Sequence, residues 1–152
     1  MNKNPSHQYV AATVIAVGLA IIGMMLPWVQ KLPVRNIEGG GEAYTMEWIP
    51  GLEAGFETFD LFVLVPILFT LLAGGVAASR GRSWWTDGIL SIMGGVILWV
   101  AGNSYIGYYT TERYAAQPGV YLVLAAGLLL ILIGAGGFLT GFTSDRTGQT
   151  TA

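Results

Sequence analysis

The chain has 152 residues, of which 53% are hydrophobic and only 11% are charged. Soluble domains carry about a quarter charged residues, so this balance places the chain in the membrane class and leaves no length for a separate soluble domain. Cysteine is absent and His7 is the single histidine, which excludes disulfide frameworks, thiolate chemistry, iron–sulfur centres and a bis-histidine haem within one subunit.

Four stretches are free of charge for long enough to cross a hydrocarbon core, which takes about 20 helical residues. They predict an all-α membrane domain over residues 1–143, a four-helix bundle with spans at about 9–28, 60–79, 85–105 and 119–142. The first runs from Tyr9 to Trp28, with an aromatic residue at each end, and stops at Pro27. Its apolar run is longer than a signal-peptide core, and Met24 to Trp28 offer no small-residue cleavage site, so it reads as a retained helix. The runs are apolar on every face, which argues against a soluble helical fold.

The first connection holds Lys31 and Arg35 against Glu38, Glu42, Glu47, Glu53, Glu57 and Asp60, a net charge of −4. Two mixed apolar and polar segments, 29–38 and 42–49, flank Gly39-Gly40-Gly41, the pattern of a short β-hairpin over the bundle. Pro33 limits its first strand to an edge position. Trp28 and Trp48 would hold the hairpin down, and Trp28, Trp48, Glu38, Glu42 and Glu47 are its candidate contact residues.

Thr58 or Asp60 would cap the second span, and Pro66 inside it predicts a kink. Lys3, Arg80, Arg82 and Arg146 fall on one side of the membrane, and Lys31, Arg35 and Arg113 on the other. Arg80 and Arg82 occupy a tight turn, where basic residues are the best guide to the cytoplasmic side. Both termini are therefore expected in the cytoplasm and the acidic connection outside. Asp87 lies just inside the third span, beside Trp84 and Trp85. It reads as a first-turn residue favoured by the helix dipole, with Ser83 or Thr86 as cap.

Small residues recur at four-residue spacing: Ala12, Ala16 and Ala20; Gly74 and Ala78; Ser91 and Gly95; Gly137 and Gly141. Such faces let backbones approach closely in lipid, and packing within the bundle explains them more simply than oligomerisation. Asn103 and Ser104, near the outer end of the third span, read as packing residues at the interface. Trp28 and the tyrosines at 105, 108, 109, 114 and 121 form an aromatic belt. From Ser144 onward the composition points to a disordered tail.

Apart from Asp87, and Asp60 at the very start of the second span, the spans contain no Asp, Glu, Lys, Arg or His. Such residues mark proton relays and ion paths, so transport through the core of one subunit is not expected. The outer loop has no histidine for a Ser-His-Asp set, and no glycine-rich phosphate loop is present. No catalytic, cofactor-binding or metal-binding residue is assigned.

Leu26-Pro27-Trp28-Val29 and Gly119-Val120-Tyr121-Leu122 resemble short motifs in small four-span proteins of bacteria and archaea. That resemblance implies a first span followed by a polar outer loop, and no active site. The overall plan is also similar to that of claudin-type tetraspan proteins, with Trp28 after the first span and a β-rich loop carrying Trp48. The sequence departs from claudins in lacking the paired cysteines of that loop. The expectation is a non-enzymatic protein of the cell membrane. Its acidic outer loop would contact another membrane or envelope protein or a second copy; the alternative is a small oligomeric channel or transporter subunit. The bilayer is its one certain partner, and no nucleic acid is expected.

Overall fold

A computed structural model describes residues 5–31, 58–110 and 114–148. Four helices make up most of it: α1 (Pro5–Met25), α2 (Thr58–Arg80), α3 (Trp84–Thr110) and α4 (Pro118–Gly148). All four are long and apolar enough to cross a membrane, over His7–Met25, Phe62–Arg80, Trp84–Thr110 and Pro118–Leu139. The chain is an integral membrane protein with four spans. α4 continues through Gly148, past residue 144 where the sequence points to a disordered tail.

The helices form an up-and-down ring in which α1 packs on α2, α2 on α3, α3 on α4, and α4 back on α1. The short α2–α3 and α3–α4 connections force antiparallel neighbours, and the bond from the Gly119 N–H to the Pro27 carbonyl sets the end of α1 beside the start of α4. One end of the bundle therefore carries the start of α1, the α2–α3 turn and the last part of α4; we call this the terminal end. The other, the loop end, carries the first connection and the link between α3 and α4.

Each helix buries one stripe and leaves the rest to lipid. On α2 the buried positions are Val63, Pro66, Ile67, Thr70, Ala73, Gly74 and Ala77, spaced three or four apart as a helical face requires. Phe62, Leu68, Phe69 and Leu72 project outward, the arrangement expected where the solvent is hydrocarbon. Three buried hydroxyls bond to their own helix: Thr13 Oγ1 donates to the Tyr9 carbonyl at 2.9 Å, Thr70 to Pro66 at 2.8 Å and Ser104 to Val100 at 3.0 Å. This i−4 bonding satisfies a polar group where no water is present. Ser104 is therefore buried and bonded within α3.

The tightest seam runs between α3 and α4. A methyl group on Gly94 would lie 2.8 Å from the Gly127 carbonyl oxygen, and one on Gly127 would lie 2.8 Å from the Leu98 nitrogen. Neither position has room for a side chain, so the two backbones meet. The expectation of small-residue packing thus applies one residue earlier on α3. Gly95 has open space beyond it, because a step of one residue turns a helix by about 100°.

At the loop end, β1 (Val29–Lys31) pairs antiparallel with β2 (Tyr114–Ala116), in the register Val29 with Ala116 and Lys31 with Tyr114. The sequence reading looks for a partner within the first connection. The described partner is the link between α3 and α4, 85 positions along the chain from Val29 to Tyr114. The proposed hairpin turn at Gly39–Gly41 lies outside the described residues.

Candidate functional site

Two places bring candidate residues together: the loop end, where the sequence motifs lie, and the terminal end, where the charges lie.

At the loop end, Leu26-Pro27-Trp28 and Pro118-Gly119 fold against each other. The Gly119 N–H donates to the Pro27 carbonyl at 3.0 Å, and the Gln117 N–H to the Trp28 carbonyl at 2.8 Å. These bonds satisfy carbonyls left over just after α1 ends and join directly to the β1–β2 pair. Gly119 has no space for a Cβ, which would stand 2.7 Å from the carbonyl oxygens of Gly23, Leu26 and Pro27. The Trp28 indole N–H donates to the Gly23 carbonyl at 2.8 Å. Two motifs far apart in sequence are therefore one structural feature, a clasp between α1 and α4.

Trp28 is expected at the interface as a contact residue, and the structure corrects this. Its side chain is 0% exposed, so no partner reaches it. The indole fills the space where α1 turns into β1. Tyrosines at the same end pair their rings. Tyr105 meets Tyr121 edge-on with centroids 5.6 Å apart, and Tyr108 meets Tyr114 at 6.3 Å, so these contacts tie α3 to α4 and to β2.

At the terminal end, Ser83 opens α3. Its N–H donates to Thr86 Oγ1 at 3.0 Å, and the Thr86 N–H reaches back to Ser83 Oγ at 3.4 Å, a reciprocal cap. Asp87 follows in the first turn and is only 3% exposed. Arg82 Nε donates to both of its carboxylate oxygens, at 2.9 and 3.1 Å. The same guanidinium lies over the Tyr9 ring, 4.7 Å from its centroid. The buried Tyr9 hydroxyl stands beside Thr86 and Asp87 without a well-formed hydrogen bond of its own.

Asp87 thus does more than favour the helix dipole: it is half of an ion pair that α4 closes over. A Cβ at Gly137 would run into the Arg82 guanidinium and the Asp87 carboxylate, and one at Gly134 into Ser91 Oγ. The sequence offers little signal for this pairing. Arg82 and Asp87 are five apart across a helix start, so α-helical spacing does not join them, and the turn that does depends on Gly81 at φ 87°.

The remaining candidate residues are placed as follows. Ala16 and Ala20 are fully buried on α1. Gly74 faces α1, where a Cβ would lie 3.2 Å from Thr13 Cγ2. Asn103 is exposed on α3, without a hydrogen-bond role among the described residues. Gly141 lies in the last part of α4, beyond the described side chains, and Glu38, Glu42, Glu47 and Trp48 lie outside the described residues. Among the described residues no group of His, Cys, Asp and Glu is placed to hold a metal ion.

What the fold and these two sites define is a compactly built four-span membrane protein with a clasped loop end and a buried ion pair at the other. No protein-family model matches the chain, and no curated protein matches it.

Proposed function

We propose that this protein is a non-enzymatic membrane scaffold, acting through contacts that its acidic first connection makes with another membrane or envelope protein or with a second copy. The observation that carries the reading is the clasp. The first connection leaves the bundle from a strand that is already paired, over a buried Trp28 and against the backbone of Gly119. Its root has a fixed direction, and rigid presentation lowers the ordering cost of binding. The interior beneath it supports the same reading, since the buried hydroxyls of Thr13, Thr70 and Ser104 are spent on local carbonyls.

The bundle faces the bilayer through its exposed apolar residues, and the basic turn of Arg80 and Arg82 sets the terminal end in the cytoplasm. A tag on either terminus is expected to report the cytoplasm, and a tag at Gly40 the exterior. Replacing residues 32–48 by a short Gly/Ser linker is expected to abolish crosslinking to a partner or a second copy while the bundle still inserts and melts as before. Association that survives this replacement removes the reading.

One observation favours a second reading, a small channel or transporter subunit: a carboxylate and a tyrosine hydroxyl lie inside one end of the bundle. Arg82 already neutralises that carboxylate, which suits a fixed strut better than a relay. Flux of an ion or solute through reconstituted protein, lost in Asp87→Asn, would put transport in first place.

A further inference from the structure

We propose that the α2–α3 turn binds the headgroup phosphate of an anionic phospholipid. Gly81, at φ 87°, reverses the chain between the two helices, and the residues on either side of it are Arg80 and Arg82. Arg80 is exposed and makes no hydrogen bond or ion pair among the described residues. Arg82 is held from behind, with Nε on Asp87 and Tyr9 under its plane. One of its terminal nitrogens packs against Gly137 of α4, and the side chain keeps 29% exposure. A guanidinium fixed in this way offers the N–H donors not covered by α4 in one orientation, beside the free Arg80, a pairing that suits a phosphate.

Three further features point to a lipid as the source of that phosphate. Trp84 and Trp85 open α3 at 60% and 64% exposure, with ring centroids 4.0 Å apart. Indoles so placed at the end of a span lie among headgroups and glycerol. The positive end of the 27-residue α3 points at the same spot, where the Thr86 N–H is already capped by Ser83 and the N–H groups before it have no carbonyl within the helix. The charge balance then selects the headgroup. Asp87 neutralises Arg82, so Arg80 supplies the surplus positive charge, which matches a phosphodiester lacking a compensating ammonium.

The test uses full-length protein, purified in mild detergent and delipidated, with phosphatidylglycerol or phosphatidylcholine added and bound lipid counted by native mass spectrometry. The expected result is a preference of roughly fivefold for phosphatidylglycerol, the effect of about one basic side chain at a charged surface. Arg80→Gln is expected to remove that preference without moving the melting temperature. Trp84→Ala is expected to weaken retention of both lipids. Equal retention of the two lipids overturns the proposal, and so does a preference that survives Arg80→Gln. Displacement of the lipid by millimolar inorganic phosphate alone would show a free-anion site and overturn it as well.

Discussion

The two ends of the bundle are closed by opposite means. At the loop end, backbone meets backbone: Gly119 rests on the Pro27 carbonyl, the Gln117 N–H on that of Trp28, and two short strands continue the contact. At the terminal end, side chains close the gap: Arg82, Asp87 and Tyr9 lie under Gly137 of α4. A backbone clasp has few alternatives once its glycines are in place, because only a missing Cβ allows the approach. A buried ion pair is different. Its two charges compensate each other, and either one alone is a liability.

The largest effect expected from this difference is at the terminal end. Arg82→Ala leaves the Asp87 carboxylate buried without its partner, and should cost ~3 kcal/mol, the low end of the range for breaking a buried pair because Arg82 is partly exposed. The double variant Arg82→Met with Asp87→Leu should recover most of that loss. Melting in detergent checks both. If the single and double variants melt alike, the two groups are not coupled and the contrast between the ends disappears.

At the loop end the comparable change is Gly119→Ala. The added methyl meets three carbonyl oxygens with no flexible side chain to give way, so a loss of about 2 kcal/mol is expected, as for overpacking a core. No second substitution should rescue it. Trp28→Phe should cost less, about 1 kcal/mol, since it removes the indole hydrogen bond to Gly23 while leaving most of the ring's packing. The fall in tryptophan emission on unfolding reports the transition in either case, because four other tryptophans remain in the Trp28 variant.

How much of this was legible in the sequence follows from how far each feature reaches along the chain. The spans are local, and unbroken apolar runs announce them without reference to any neighbour. The α-helical periodicity that follows from them picks out Ala16, Ala20 and Gly74. The clasp was present only as two separate motifs, Leu26-Pro27-Trp28-Val29 and Gly119-Val120-Tyr121-Leu122, whose contact is a matter of tertiary packing. A tryptophan just past a span also reads as an interfacial anchor, and only the fold shows that Trp28 turns inward. The ion pair was hidden for a different reason. It depends on one backbone dihedral at Gly81, and charge counting assigns Arg82 to topology and Asp87 to the helix dipole before their pairing is considered.

The smallest single change, Gly95→Ala, belongs to the seam that joins the two ends, where adjacent glycines on α3 should behave oppositely. A Cβ on Gly94 stands 2.8 Å from the Gly127 carbonyl oxygen, also 2.8 Å from Leu130 Cβ, and 2.9 Å from the Ile131 nitrogen; Gly95 has nothing within 4 Å. Gly94→Ala should therefore push α3 from α4 and lower stability by about 1–2 kcal/mol, in the overpacking range. Gly95→Ala fills empty space on the lipid side and replaces a weak helix former, so its effect should be a gain of no more than ~0.5–1 kcal/mol. A paired measurement of the two melting temperatures in one detergent tests this with the smallest change that chemistry allows. Should Gly95→Ala destabilise as much as Gly94→Ala, the outward face of α3 must itself be covered in the detergent complex. Gly95→Leu, followed by the mass of the particle, would then show whether a second copy is what covers it.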